Sequence, residues 1–296
     1  MNIDLVKLFC SIDDFWMNFE KKWNESLLTE GKRPGKRQSF LHLSEVMTIV
    51  ILFHMSGYRN FKTFYIGYVA IYLRKSFPKL PSYQRFVELK KGIPFPLYCY
   101  LQTCMGQTTG ISFVDSTSIE VCHIKRVSRH KVFKSIAKKG KTSVGWFFGL
   151  KLHLIVNDKG ELLNFSLSPG NVDDRTPIPA LVENKITGLL FGDRGYISAN
   201  LAEKLRDFNV QLITRIRSNM KNKLMPLFDK LLLRKRGIIE TIIDQLKNIS
   251  QIEHSRHRSP VNFVVNLFAG LIAYCHQPKK PSLNLSGSNL KSLITC

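Results

Sequence analysis

The chain is long, moderately apolar and strongly basic. Its 296 residues are enough for a sizeable core and two domains, and a hydrophobic content of 44% with 11% aromatic residues excludes a disordered chain. Lys and Arg number 44 against 22 Asp and Glu, which gives a formal net charge of +22. Such self-repulsion predicts a polyanionic partner, with nucleic acid favoured over a membrane surface.

Membrane insertion, export and cysteine-based metal binding are not predicted. The longest apolar runs, "VMTIVILF" and "FVVNLFAGLIAY", are shorter than the ~20 residues that span hydrocarbon. The N-terminal "MNIDLVKLFC" contains an acid and leads to no cleavage site, unlike a signal peptide. The six cysteines are scattered singly without zinc spacing, which favours a reducing cytoplasm.

Residues 1–105 are predicted to form an all-helical N-terminal domain. Apolar residues follow helical spacing after Ser44, a candidate N-cap, and again through Tyr72, beyond which prolines end the helix. The next helix, "YQRFVELKK", is capped by Ser82 and has Lys90 facing outward. Two helices joined by a tight turn are compatible with helix-turn-helix DNA binding. A helical packing module with a solvated basic face is the alternative.

Residues 106–278 show a mixed pattern of strands and helices. The stretches "ISFVDSTSIEVC", "GWFFGLKLHLIV" and "ELLNFSLS" are typical of strands, and "NDKG" joins the last two as a hairpin. Helices and strands then alternate: a helix near 175–184, the strand "LLFGD", a helix from Ser198, the strand "VQLITRI" and a long helix over about 222–250. This order predicts an α/β domain, a mixed sheet flanked by helices, and a loose tail at 279–296.

Three carboxylates stand out in the α/β domain. Asp115 lies within a strand, where aspartate is disfavoured, and Asp193 ends the strand of "LLFGDRGY". Glu240 shares one face of the long helix with Arg236 and Lys247. If the fold brings the carboxylates together, cations must neutralise them, and oxygen ligands favour Mg²⁺ or Mn²⁺. Taken singly, each has a plainer interpretation: a turn for the first, a turn or cap for the second, and a solvated helix face for the third.

Other polar residues of this domain are interpreted as structural. Asp173 and Asp174 in "GNVDDR" are assigned to a turn and a helix cap. His153 lies on an apolar strand, which favours a hydrogen-bonded core histidine or one that faces DNA over a metal ligand.

The motifs, taken in order, resemble a known family. They are "FVDSTSIEVC", "GWFFGLKLHLIVN", "SPGNVDDR", "GDRGY", "RGIIETIIDQLK" and "EHSRHRSPVNFVVNLFAGLIAY". They are similar to those of bacterial insertion-sequence transposases with a DDE catalytic triad and, more narrowly, to insertion-sequence family nine-eight-two. The similarity covers nearly the whole chain, including "PSYQRFV" in the N-terminal half. It implies an RNase H-like catalytic domain at 106–278.

The resemblance assigns roles residue by residue. Asp115 in "VDS", Asp193 in "GDRGY" and Glu240 in "RGIIE" match the catalytic, metal-binding triad, which implies two Mg²⁺ ions, or Mn²⁺ in their place. The end of a strand is rigid enough to fix a metal, and Gly195 is expected to let the backbone turn away. Arg194 is expected to meet a phosphate or to support the site.

A second signature of the related transposases is nearly complete. It runs tyrosine, two residues, arginine, three residues, glutamate, six residues, lysine. Arg236, Glu240 and Lys247 fit this spacing, whereas Leu233 stands at the tyrosine position. The resemblance implies that Arg236 and Lys247 contact phosphates or terminal bases. Leu233 removes whatever stacking or hydrogen bond the tyrosine provides.

Basic segments are expected to hold the DNA. The stretch 125–141, "KRVSRHKVFKSIAKKGK", has eight Lys or Arg and no acid, which predicts a flexible loop that orders on DNA; a merely solvated loop is the alternative. The stretch "GKRPGKRQS" at 31–39 is a shorter basic loop, and "SRHRS" follows the long helix. The candidate DNA contacts in these segments are Lys125, Arg126, Arg129, Lys131, Arg256 and Arg258.

The residues and the resemblance together predict a transposase. It would bind double-stranded DNA at the terminal inverted repeats of its element, cleave there, and join the freed 3′-hydroxyl to target DNA. It would act on DNA as at least a dimer, in the bacterial cytoplasm at the nucleoid, with no membrane partner. Two alternatives stay open: an RNase H-like nuclease that cuts without joining, and a non-catalytic DNA-binding repressor derived from a transposase.

Overall fold

The chain folds into two compact units, neither of which is continuous in sequence. The computed structural model describes residues 4–29, 41–215, 225–253 and 258–283. The first unit comprises Met1–Cys104, Leu246–Ile252 and Arg258–His276, and the second comprises Met105–Gln245, Glu253–His257 and Gln277–Cys296. The predicted domains are continuous segments of the chain, whereas in the structure the C-terminal segment Arg258–His276 belongs to the same unit as the N-terminal helices. The predicted limits at 1–105, 106–278 and 279–296 stay a prediction.

The first unit is helical in its described residues, as predicted for the N-terminal half. Its helices are α1 (Leu5–Thr29), α2 (Leu43–Met55), α3 (Phe61–Phe64), α4 (Ala70–Tyr72), α5 (Tyr83–Leu89), α6 (Pro94–Cys104) and α11 (Pro260–Cys275). A π-helical turn, Tyr65–Val69, joins α3 to α4, and a 3₁₀ turn, Lys90–Gly92, follows α5. Helix α11 packs against α2 and α6 and so completes the core of this unit.

Helix α2 begins earlier than predicted. His42 is the N-cap, and its backbone N–H donates to the carboxylate of Glu45, the third residue of the helix, at 2.7 Å. This is the hydrogen bond of a capping box. Ser44 lies inside the helix with its side chain buried, and its prediction as the N-cap is wrong.

Helix α5 has the predicted cap but a different basic face. The Ser82 hydroxyl accepts from the N–H of Arg85 at 3.4 Å, which confirms the cap. The outward orientation predicted for Lys90 is wrong, because its Nζ lies 4.1 Å from the centroid of the Phe61 ring, and burial lowers its pKa to about 8. Helix-turn-helix DNA binding by this unit stays a prediction.

The second unit contains a six-stranded sheet and its flanking helices. The strands are β1 (Ile111–Cys122), β2 (Lys138–Lys141), β3 (Trp146–Asn157), β4 (Leu162–Pro169), β5 (Gly188–Gly192) and β6 (Val210–Thr214). The helices are α7 (Ile178–Val182), α8 (Ala199–Arg206), α9 (Leu227–Lys235) and α10 (Gly237–Asn248), with 3₁₀ turns at Ile124–Arg129 and Arg194–Tyr196. The last residues of α10, from Leu246, belong to the first unit.

The sheet is mixed, with β1 at its centre. Strand order is β2-β3-β1-β5-β6, and β4 also pairs with β3. Strand β3 runs antiparallel to β1, β2 and β4, whereas β1, β5 and β6 are mutually parallel. Buried residues of α7 and α8, such as Ile178 and Leu201, share a core with Val114 and Leu190 of the sheet. The predicted fold class, a mixed sheet flanked by helices that follows a helical N-terminal region, is confirmed.

The single long helix predicted near 222–250 is two helices. Helix α9 ends at Lys235, and α10 begins at Gly237, with Arg236 in the turn between them. Glycine is a poor helix former, and its presence allows the chain to break there. The prediction missed the break because the apolar spacing continues across it.

The basic segment 125–141 is folded rather than a flexible loop, so that prediction is wrong. His123 caps the 3₁₀ turn by accepting from the N–H of Lys125 at 3.3 Å, and β2 pairs with β3 in a hairpin. Phe133 and Ala137 are fully buried and anchor the segment between these elements. The other basic stretch, 31–39, lies outside the described residues.

Within the described ranges, no helix is both long enough and apolar enough to cross a membrane.

Candidate active site

Strand register places Asp115 beside Asp193. The parallel pairing of β1 with β5 ends with Phe113 opposite Phe191. Two residues further along each chain stand Asp115 and Asp193. Side chains in strands repeat every two residues, so both aspartates fall at the same level and on the same face as that pair. A sheet of this topology therefore brings together two carboxylates that are far apart in sequence.

Asp193 also caps the turn that follows β5. Its Oδ1 accepts from the N–H of Gly195 at 2.8 Å, which fixes the direction of the carboxylate. A Cβ on Gly195 would lie 2.9 Å from that same oxygen. A side chain at this position would crowd the carboxylate, and Gly195 lies within the 3₁₀ turn Arg194–Tyr196; its role in letting the backbone turn away stays a prediction.

Arg236 links two of the three carboxylates. Its Nη1 lies 3.4 Å from Oδ2 of Asp115, and its Nη2 forms a short ion pair with Oε1 of Glu240. The break between α9 and α10 places Arg236 one helical turn before Glu240. One guanidinium thus neutralises a carboxylate from the central strand and another from the helix.

The surroundings of Asp115 disfavour its charged form. Burial raises the pKa of its carboxyl to about 6, and the negative charges of Asp193 and Glu240 push in the same direction. The backbone N–H of Ser116, which donates to Oδ1 at 2.8 Å, and the Arg236 guanidinium both oppose this rise in pKa. The three carboxylates therefore influence one another electrostatically.

An arginine-rich cavity of about 440 Å³ opens beside two of these carboxylates, Asp193 and Glu240. Its cationic lining residues are Arg194, Arg215, Arg234 and Arg236. Two of these arginines, Arg215 and Arg234, were not predicted from the sequence. The signal for Arg215 was its position directly after β6, since Gly192 pairs with Thr214 and Arg215 is therefore level with Asp193. Four arginines around two acids make the cavity suited to a polyanion.

The donor set fits a divalent cation, although the side chains do not converge on one. Across the described part of the chain, no three His, Cys, Asp or Glu side chains are grouped so that they could hold a metal ion. Arg236 stands between Asp115 and Glu240 and supplies the positive charge there. Carboxylate oxygens are the ligands that Mg²⁺ and Mn²⁺ prefer, and two of them already share one cationic partner.

The other candidate DNA contacts are distributed over both units. The side chains of Lys125, Arg126, Arg129 and Lys131 are exposed on and after the 3₁₀ turn that follows β1. Half-buried Lys247, on α10, and exposed Arg258 belong to the first unit. Arg256 lies outside the described residues.

The interpretations of His153 as a core histidine and of Asp173 as a turn residue are confirmed. The predicted helix cap is wrong, because α7 follows Pro177 without a side-chain cap and Asp174 pairs with Lys151 at 2.9 Å. His153 is buried, its Nε2 lies 2.7 Å from a serine hydroxyl of β4, and burial lowers its pKa to about 4. Asp173 accepts from both the backbone and the guanidinium of Arg175, which lowers its pKa to about 2. Neither residue contributes to the carboxylate cluster.

Comparison with known proteins identifies the class of the chain. Residues 105–260, which carry Asp115, Asp193 and Glu240, match the family model described as the transposase DDE domain. The match spans more than half of the 296 residues, and the chain belongs to this family. The protein is therefore a DDE transposase, as predicted.

The remaining comparisons add little detail. A solved structure of the piggyBac transposase synaptic complex with hairpin DNA is similar over 93% of this chain and 73% of its own, with a TM-score of 0.47 and 11% identity. No curated protein matches the chain.

Proposed function

We propose that the protein cleaves DNA at the terminal inverted repeats of an insertion sequence and joins the freed ends to target DNA. The observation that carries this proposal is that Asp115 and Glu240 share one guanidinium, while Asp193 lies close enough to raise the pKa of Asp115 and lines an arginine-rich cavity together with Glu240. A carboxylate cluster of this kind serves phosphoryl transfer, whereas a protein that only binds DNA has no use for acids there.

In this proposal the three carboxylates are the catalytic groups. Asp115, Asp193 and Glu240 would hold two divalent ions, Mg²⁺ or Mn²⁺. When bound, such ions favour deprotonation of an attacking water or 3′-hydroxyl and neutralise charge on the leaving oxygen. The rigidity of the Asp193 carboxylate, fixed by the Gly195 N–H, supports precise placement of the reacting phosphate.

Arg236 has a double role in this scheme. In the free protein it neutralises Asp115 and Glu240, as its two ion pairs indicate. With DNA and metal bound, its guanidinium is released to a phosphate oxygen, where it can bind bidentately. The same side chain would thereby offset the repulsion between the carboxylates before metal binds and then help to position the DNA substrate.

The rest of the DNA would be held by basic side chains outside the carboxylate cluster. Arg194, Arg215 and Arg234 line the cavity and would contact the scissile strand. The exposed 3₁₀ segment and the predicted contacts of the first unit would bind flanking phosphates; these residues are Lys125, Arg126, Arg129, Lys131, Lys247, Arg256 and Arg258. The net charge of +22 supports a DNA partner.

The biological setting completes the proposal. The motif order favours a bacterial element of insertion-sequence family nine-eight-two. Bringing two transposon ends together requires at least two copies of the protein on DNA. The protein would work in the cytoplasm, at the nucleoid.

A strand-transfer assay tests the proposal. Purified protein is mixed with labelled DNA that carries the element's end and with a plasmid target, in Mg²⁺ or in EDTA. Metal-dependent joined products are expected from the wild type. Asp193→Asn should give none, while Asp207→Asn, an exposed aspartate of the same unit, should behave like the wild type.

The other outcomes of this assay separate the alternatives. Cleavage without joining would identify a nuclease. Tight, specific binding of the labelled end with no cleavage in Mg²⁺ would identify a repressor. Both results would refute the proposed transposition chemistry.

A further inference from the structure

The hairpin formed by β2 and β3 exposes apolar side chains at its end. Trp146 is 62% exposed and Val144 is 97% exposed. Trp146 is the first residue of β3 and the four residues after it are all buried, so its exposure reflects its place at the end of the hairpin. A large aromatic side chain held in water at the tip of a hairpin is typical of a contact surface.

The hairpin is held in place by backbone contacts. A Cβ on Gly140 would lie 2.1 Å from the carbonyl oxygen of Gly170, so β2 rests directly on the chain that follows β4. The connecting turn is closed by the N–H of Thr142, which donates to the Gly145 carbonyl at 2.8 Å. Trp146 is therefore presented on a preformed support, and little conformational entropy is lost when it makes a contact.

The groove beside Trp146 has an excess of positive charge. The Lys141 Nζ lies 5.9 Å from the centroid of the Trp146 ring, and Lys139 also lines this groove of about 500 Å³. The two acids in the lining are already neutralised, because Asp174 pairs with Lys151 at 2.9 Å and Asp173 pairs with Arg175 at 2.6 Å. The occupant should therefore carry negative charge as well as a flat apolar face.

The groove also adjoins the carboxylate cluster. Gly195 lines it, and the N–H of Gly195 is the group that holds the Asp193 carboxylate. A DNA strand that leaves the candidate active site along this groove would meet the lysines with its phosphates and Trp146 with a base.

We propose that Trp146 is a stacking platform for an unpaired DNA base next to the cleavage site. A paired base hides both faces in the duplex, so only a frayed or single-stranded base can stack on a tryptophan from outside. Lys139 and Lys141 bind the phosphates on either side of that base. This inference rests on the proposed function, since it concerns the same DNA strand.

The test compares two DNA probes in EDTA, where no cleavage takes place. One is a short blunt duplex, and the other is the same duplex extended by a few unpaired nucleotides that include 2-aminopurine. Stacking on an aromatic side chain predicts about tenfold tighter binding of the extended probe. It also predicts quenching of the 2-aminopurine fluorescence on binding.

Variants assign the effect to the side chain. Trp146→Ala should lose both the preference and the quenching, whereas Trp146→Phe should retain most of each because it keeps an aromatic face. Val144→Ala, which shortens an apolar side chain that is 97% exposed in the same hairpin but has no ring to stack, is the matched control and should behave like the wild type. Circular dichroism spectra should be the same for all of these proteins.

Two results would overturn the inference: an unchanged preference in Trp146→Ala, or an equal loss of affinity for both probes. Asp193→Asn makes this test independent of catalysis. If Asp193→Asn and the wild type both prefer the extended probe while the wild type joins no DNA, the proposed function fails and the stacking site stands. If DNA joining is normal and Trp146→Ala has no effect on either probe, only the stacking site fails.

Discussion

Replacing Asp115 by asparagine should stabilise the folded protein at neutral pH. The Asp115 side chain is 21% exposed, and burial raises its carboxyl pKa from 3.8 to about 6. Each tenfold change in a protonation equilibrium is worth about 1.4 kcal/mol, so keeping this carboxylate ionised in the fold costs roughly 3 kcal/mol. Asparagine retains the shape and the oxygen that accepts from Ser116, but it removes the buried charge.

The pH dependence gives the expected signature. The folded pKa of Asp115 lies above the unfolded value, so the folded state binds the proton more tightly. The cost is therefore absent below about pH 4, grows as the pH rises from about 4 to about 6, and stays constant above that. Wild type and Asp115→Asn should have equal stability in acid, and they should diverge by roughly 3 kcal/mol in favour of the variant at pH 7–8.

Thermal and urea unfolding followed by circular dichroism from acid to neutral pH would measure this difference. Asp207→Asn is the matched control, and its stability should follow the wild type at every pH. Mg²⁺ or Mn²⁺ should stabilise the wild type in EDTA-free buffer and should have much less effect on Asp115→Asn. A variant that is less stable than the wild type at neutral pH, or a constant difference across the pH range, would refute the argument from burial.

Three further predictions follow from other contacts. Arg236→Gln removes the cation that lowers the pKa of Asp115, so unfolding in urea should show a loss of about 1–3 kcal/mol at neutral pH, and the salt slope of DNA binding should fall by about 1; unchanged values for both would contradict the ion pairs. Gly140→Ala should lower thermal stability by about 1–3 kcal/mol because its Cβ meets backbone, whereas Gly67→Ala, with nothing within 4 Å, should not; equal effects would exclude this explanation. Burial lowers the pKa of His54 from 6.5 to about 4, so on acidification the unfolded state takes up the proton first. Roughly 3 kcal/mol of stability should therefore be lost between about pH 6.5 and pH 4. Acid titrations should show a smaller loss for His54→Gln.

Much of the catalytic unit could be predicted from local pattern. The stretch "ISFVDSTSIEVC" coincides with β1, and Ser198 caps α8 with a hydrogen bond to the N–H of Leu201. Alternating apolar residues and short polar caps act over a few residues, so they can be recognised without knowledge of the fold. The position of Asp193 directly after a buried strand was visible for the same reason.

The rest depended on contacts between distant parts of the chain. Nothing in the spacing around Arg236 indicates that its guanidinium reaches back to Asp115, because that contact joins residues 121 positions apart. Likewise, a count of charges made 125–141 look like a loop, whereas Phe133 and the pairing of β2 with β3 fold it. Local periodicity carries no information about such partners.

The discontinuous make-up of the first unit has a consequence for how the protein is made. Its core includes α11. The ring centroids of Phe268, on α11, and Tyr98 lie 5.7 Å apart, and Nε2 of His276, the C-cap of α11, lies 2.9 Å from the Tyr100 hydroxyl. A ribosome, adding about 5–20 residues per second, must therefore synthesise the matched DDE domain, residues 105–260, before the N-terminal helices receive their last partner. A chain released early, even one that contained every carboxylate of the candidate site, would have an open apolar surface where α11 belongs. Such a product would be a target for chaperones and proteases. A complete first unit is therefore formed only by chains in which the three candidate carboxylates have already been synthesised.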